Sequence, residues 1–249
     1  MKFCDLSGKT ALVTGSSRGI GRATALLLAR LEARVIFHGS RSSEKLASAV
    51  AEAGNGAMAL AADLEKPDEV VELAETLIKR SIAPDILVLN ASVQSYATLA
   101  EFDGTEFLQM FRANVESSCV LLKRLIPEMR RRRFGRVIFV GSINGVRPAA
   151  RLAVYGATKA ALMNLARSAA AGNAPYGITV NTILPGVIET DRNAERLSDN
   201  AFAETLRAKI PMRRFGTPEE CAGIVAFLAS DAAAYITGAE IPVSGGWQL

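Results

Sequence analysis

A short apolar run, a glycine-rich turn and a helical pattern follow one another near the start of the chain. This succession constrains the fold more than any other feature. Residues 9–13 read Lys-Thr-Ala-Leu-Val, a run without polar alternation that suits a parallel strand buried on both faces. Gly15-Ser16-Ser17-Arg18-Gly19-Ile20-Gly21 comes next, and a helical pattern then continues through Leu31. Strand, glycine turn and helix form a context in which backbone N–H groups and a helix N-terminus can approach a phosphate. The spacing is G-x-x-x-G-x-G, and alone it also fits a plain βα turn with glycines for tight packing.

The alternation continues along the chain. Apolar runs at residues 34–38, 57–62, 85–89, 136–140, 178–184 and 240–243 read as further strands. Helical patterns fall at 43–53, with Ser42 or Ser43 as the N-cap, and at 67–80, with Pro67 in the first turn. A long one at 105–132 is expected to bend at Pro127, and another covers 154–171. Thr217-Pro218-Glu219-Glu220 reads as a capped helix start. A length of 249 residues suits one core, so a single α/β domain spanning 1–249 is expected.

The balance of residues excludes several classes of function. Charged residues are 22% and hydrophobic residues 49%, a globular composition. A net charge of +4 does not demand a nucleic-acid or membrane partner. The densest basic run, residues 130–133, lacks interleaved aromatics and is expected to be a solvated last turn of a helix. Cys4, Cys119 and Cys221 are widely spaced, which indicates neither a disulfide framework nor a metal site. His38 is the only histidine and sits in an apolar strand, which argues against Ser-His-Asp hydrolysis. Residues 1–7 carry no apolar signal region and no run is long enough to span a membrane, so a cytoplasmic setting is expected.

Tyr155 and Lys159 are four residues apart in a helical segment, so their side chains leave one helix face. A free phenol has a pKa of about 10 and is a poor base near neutrality. A neighbouring ammonium favours the phenolate, and the pair can then exchange a proton with an oxygen being reduced or oxidised. Taken alone, such a pair is more often an aromatic on a core stripe with a lysine at its edge.

Thr14-Gly15-Ser16-Ser17-Arg18-Gly19-Ile20-Gly21 and Tyr155-x-x-x-Lys159, in this order and at this separation, resemble the short-chain dehydrogenase/reductase family over nearly the whole chain. The resemblance implies an α/β fold: one doubly wound Rossmann-type domain with a parallel sheet of about seven strands and helices on both faces. It implies a dinucleotide held by Gly15, Ser17, Arg18, Gly19, Ile20 and Gly21 in the first turn. Asp63 and Leu64 after the third strand, and Asn90 and Ala91 after the fourth, would flank it. Ile188 and Thr190 would meet the nicotinamide amide and the pyrophosphate. The resemblance also implies a catalytic set. Tyr155 is its acid/base, Lys159 supports the tyrosine and holds the ribose, Ser142 positions the substrate oxygen, and Asn114 holds a water behind the lysine. Ser92 departs from the family pattern, which has glycine there.

The end of the second strand bears on the choice of cofactor. An acidic residue there would bond the ribose hydroxyls of NAD, but no carboxylate occurs between His38 and Glu44. Arg18 and Arg41 could instead take a 2′-phosphate, so NADP(H) is expected over NAD(H). Arg41 as a solvated loop residue is the alternative.

The expectation is therefore an enzyme that transfers a hydride between NADP(H) and a small carbonyl or secondary-alcohol substrate, without a metal. The relatives it resembles include 3-oxoacyl-carrier-protein reductases and sugar or polyol dehydrogenases. An NAD-linked polyol or sugar-acid dehydrogenase is a second reading, and a non-catalytic nucleotide-binding regulator a third. Residues 191–213 are polar and helix-prone and read as a lid. Gln94, Asn144, Arg147, Arg151 and Arg192 fall in loops around the expected pocket and suggest a polar or anionic substrate. Apolar residues around the helices of Asn114 and Tyr155, together with the resemblance, imply a homotetramer.

Overall fold

The computed structural model describes residues 4–249, so the first three residues of the 1–7 stretch lie outside it. Among the described residues, seven strands form one parallel sheet in the order β3-β2-β1-β4-β5-β6-β7. These are β1 (Thr10–Val13), β2 (Arg34–Gly39), β3 (Met58–Ala61), β4 (Ile86–Leu89), β5 (Gly135–Val140), β6 (Ile178–Pro185) and β7 (Glu240–Val243). Alternate residues of each strand face opposite layers. Ala11 and Val13 of β1 pack with Val35 and Phe37 of β2 beneath α1 (Gly19–Arg30) and α9 (Pro218–Ala229). Leu12, Ile36, Leu87 and Phe139 point the other way, against α3 (Pro67–Lys79), α5 (Ser117–Arg132) and α6 (Ala153–Asn173). Both faces are covered by helices, which is why the strands are continuous apolar runs and not alternating ones.

The chain winds outward from β1 to β3, returns to lay β4 beside β1, and continues to β7. The order reverses between β1 and β4, and in such sheets a crevice opens there at the carboxyl ends of the strands. Local sequence fixes the flanking elements. Ser43 caps α2 (Glu44–Ala53) by accepting from the Leu46 N–H. Thr217 and Glu220 form the reciprocal capping box that starts α9. Residues 191–213 contain α7 (Asp191–Leu197) and α8 (Asn200–Arg207). Among the described residues, no helix is long and apolar enough to cross a membrane.

One expectation is corrected. The pattern over 105–132 is not one helix but α4 (Gly104–Phe111), a π-helical turn at Arg112–Glu116, and α5. Asn114 lies within the π turn. Arginines 130–133 end a helix and are exposed, as expected, and three of them also make contacts beyond their own helix. Arg130 donates to Asn173 Oδ1 at 2.8 Å and lies over the Tyr176 ring, Arg132 donates to the Pro84 carbonyl at 2.8 Å, and Arg133 to that of Pro175 at 3.0 Å. The run ties together the loops below the sheet.

Candidate active site

Thr14 joins the first turn to the end of β4. Its hydroxyl accepts from the N–H groups of Asn90 (2.9 Å) and Ala91 (3.0 Å). The Asn90 amide returns two bonds, to the carbonyls of Thr14 (2.9 Å) and Gly15 (3.1 Å). The approach is so close that a Cβ on Gly21 would lie 2.3 Å from the Gly15 oxygen, and one on Gly15 2.9 Å from the Ala91 Cα. Gly15 and Gly19 also have φ of +64° and +55°, values that favour glycine. His38 completes the support: its Nδ1 accepts from the Gly15 N–H at 3.2 Å and its Nε2 lies 3.0 Å from the Ala62 carbonyl. Burial pushes the His38 pKa down to about 4, against the hydrogen bond to Ala62, so the ring is neutral near pH 7.

Above this braced turn lies a cleft of about 720 Å³. Gly15, Ser17, Arg18, Gly19, Ile20 and Gly21 line it, as do Asp63, Leu64, Asn90, Ala91, Ile188 and Thr190. Arg18 occupies the N-cap position of α1 without a side-chain cap, so the first turn of that helix keeps donors for an anion. These residues fit a dinucleotide: an uncapped helix start, a turn whose glycines leave the backbone open, and a long cleft across the sheet's switch point. Arg41 does not line the cleft, whereas Ser40 and Arg18 do. After Gly39 the chain folds back so tightly that a Cβ there would meet the Arg41 carbonyl at 3.2 Å, and Arg41 is exposed. Arg151 is also outside the lining and acts on Glu101 instead.

α6 carries Tyr155 and Lys159 into the other half of the cleft, where both are buried, at 6% and 2% exposure. The Lys159 ammonium donates to the Val140 carbonyl at 2.9 Å and sits 5.6 Å from the Tyr155 ring centroid. Burial, joined by the positive charge of Arg192, pulls the lysine pKa down to about 7. Tyr155 moves upward, because burial penalises the phenolate; the Arg192 charge and the Ser142 and Ser92 hydroxyls oppose that shift. The sequence expectation made Lys159 the charge that acidifies the phenol. In the structure Arg192 also places positive charge near the phenol, and the lysine is desolvated and donates to a carbonyl. Ser142 lies beside the phenol, and its Oγ accepts from the Asn144 N–H at 3.1 Å. Asn114 is pinned: its amide donates to the Val93 carbonyl and Thr158 Oγ1, both at 3.0 Å, and its Oδ1 accepts from the Val93 N–H at 2.8 Å.

Arg192 was expected near the pocket, whereas Tyr96, Arg196 and Trp247 had no signal in the sequence. Arg192, from α7, donates to Ser92 Oγ at 3.1 Å and to the Ser92 carbonyl at 2.6 Å. The serine that departs from the family pattern is therefore the anchor of Arg192. Tyr96, Arg196 and Trp247 line the same half of the cleft. Among the described residues, no group of three or more His, Cys, Asp or Glu side chains could hold a metal ion.

A parallel sheet with this switch point, an open phosphate-ready turn and a buried Tyr–Lys pair defines an oxidoreductase of the dinucleotide-binding kind. A family model described as Enoyl-(Acyl carrier protein) reductase matches residues 15–248. The chain is 37% identical to the L-rhamnose 1-dehydrogenase (NAD(P)(+)) of Azotobacter vinelandii over 97% of each chain. It is 40% identical to the 3-oxoacyl-[acyl-carrier-protein] reductase FabG of Escherichia coli over 98% of this chain and 99% of that one. A 3-oxoacyl (acyl-carrier-protein) reductase structure from Agrobacterium tumefaciens with NADP bound superposes with a TM-score of 0.93 at 39% identity, covering 98% and 96% of the two chains. The chain belongs to the short-chain dehydrogenase/reductase family and is an oxidoreductase acting on CH–OH/C=O groups.

Proposed function

We propose that this enzyme uses NADP(H) in preference to NAD(H) to interconvert a carbonyl compound and a secondary alcohol, with Tyr155 as the proton donor and acceptor. The observation that carries the reading is the buried Tyr155–Lys159 pair in the cleft with Ser142 against the phenol. A bound nicotinamide would supply or accept the hydride. In reduction, the Tyr155 O–H gives its proton to the carbonyl oxygen as negative charge develops there, and the Ser142 hydroxyl donates to the same oxygen. In oxidation, the phenolate takes the alcohol proton back. Lys159 is one turn along the same helix, where its donors reach ribose hydroxyls. Asn114 holds the π turn against the loop at Val93, which keeps the floor of the site in place. Thr190, Ile188 and the first-turn glycines hold the dinucleotide, with Asp63 and Leu64 at its adenine end.

NADP(H) preference rests on Arg18 at the cleft and on the absence of a carboxylate after β2. The NADP bound in the Agrobacterium reductase supports it. The domain is one unit of residues 1–249 with 191–213 as a lid, assembled as a homotetramer in the cytoplasm. The test is NADPH-linked turnover of a carbonyl panel together with cofactor titration. The expected result is turnover and tighter binding of NADPH than of NADH. No turnover of any carbonyl or alcohol would contradict the reading, and equal cofactor affinities would remove the NADP(H) preference.

A further inference from the structure

The two halves of the cleft differ in charge. Toward the adenine end the lining carries Asp63 and Glu65 as well as Arg18. Toward Tyr155 it carries Arg147, Arg192, Arg196 and Lys209, and the one carboxylate nearby, Asp191, is held by Lys45 at 2.8 Å. Among the described residues, none of these four cations forms an ion pair with a carboxylate. Like charges gathered without counter-charges repel one another, and an anion among them relieves this.

The arginines are also shaped for an anion. Arg196 has its Cζ 4.1 Å from the Tyr96 ring centroid and 4.9 Å from that of Phe202, and Arg147 lies 5.1 Å from the Trp247 centroid. Aromatic contacts of this kind steady a guanidinium through its face and leave its N–H edge free. Among the described residues no protein acceptor takes those edges. A planar guanidinium with a free edge matches a carboxylate with two parallel hydrogen bonds. Tyr96, which lies against Arg196, is also close enough to act on the Tyr155 phenol, so this cationic end adjoins the reacting oxygen.

We propose that the substrate end of the cleft is a carboxylate site, and that the substrate is a hydroxy acid or oxo acid whose carboxylate is separate from the reacting carbon. Arg196 and Arg147 grip the carboxylate by their free edges, while Arg192 and Lys209 add charge around it. The inference rests on the oxidoreductase reading for which carbon reacts, but the carboxylate site itself can be tested without turnover.

Trp247 is the only tryptophan and lies against Arg147, so its fluorescence reports on the site. The probes are matched pairs in which a carboxylate is replaced by CH₂OH: gluconate with glucitol, and 3-hydroxybutyrate with 1,3-butanediol. Each is titrated into the enzyme saturated with NADP⁺. At least one acid should perturb the fluorescence saturably, with an affinity at least about tenfold above that of its neutral partner, as expected for charge-assisted pairing. Arg196→Gln should remove most of that advantage. Equal affinities within both pairs, or an acid preference untouched in Arg196→Gln, would overturn the proposal. Tighter binding of glucitol 6-phosphate than of either acid would overturn it in favour of a phosphate ester. Turnover is read separately. Neutral alcohols oxidised without any acid preference would leave the oxidoreductase reading intact and remove this one. Selective acid binding without turnover of any alcohol or carbonyl would do the reverse.

Discussion

Ser92 and Arg192 are 100 residues apart in sequence, yet they are hydrogen-bonded to each other and both act on the reacting phenol. Two of the influences that favour the Tyr155 phenolate come from this pair, the Arg192 charge first and the Ser92 hydroxyl after it. Alcohol oxidation needs the phenolate, so its rate rises with pH through the tyrosine's pKa. Removing either influence raises that pKa. Ser92→Gly should therefore move the rise to higher pH, and Arg192→Gln should move it further in the same direction. Profiles that coincide with that of the parent enzyme would show that Arg192 does not act on the phenol. Tyr155 and Lys159 were legible as a pair because the helix repeat places them on one face, while Ser142 was named only through the family resemblance. The Ser92–Arg192 contact was not legible, since it depends on how residues 191–213 fold across the sheet edge. Arg41 is exposed and outside the cleft lining, and the residues fix only that a loop follows β2.

Among the elements, the strands were the easiest to read. A sheet covered on both faces demands unbroken apolar runs, and each expected run became a strand with ends shifted by at most two residues. The π turn at Arg112–Glu116 was hidden because a single i→i+5 turn hardly disturbs an apolar pattern of period 3.6. His38 on β2 links the first turn to the end of β3, and its burial makes the protein sensitive to acid. Burial lowers its pKa from the ordinary 6.5 to about 4 in the folded protein, so the unfolded chain takes up the proton first as pH falls. The stabilisation is fully present above pH 6.5 and is lost progressively toward pH 4, by up to roughly 3 kcal/mol. His38→Gln removes this titration. The difference in unfolding free energy between parent and variant should then shrink as pH falls through that window. A difference that stays constant between pH 7 and pH 4 would rule out the histidine as the source.

At the scale of the whole molecule, the outer surface of α5 and α6 is more apolar than a solvated face requires. Val120, Ile126, Leu165 and Ala169 are only partly buried there, and Cys119 is exposed. This is the face that the proposed homotetramer would cover. Light scattering should give four times the chain mass at micromolar concentration, and a stable monomer would contradict the assembly.

The central claim is that one buried phenol moves the proton while the rest of the cleft holds and orients. Tyr155→Phe removes a single oxygen and leaves the first turn, Arg18 and Lys159 in place. Single-turnover reduction of a carbonyl substrate by the NADPH complex, measured for parent and variant at equal cofactor saturation, tests it directly. The variant should bind NADPH as the parent does and lose about 10²-fold or more in the reduction step, the scale of a general acid's contribution. Reduction at a near-parental rate with NADPH bound would place the proton donor on another residue.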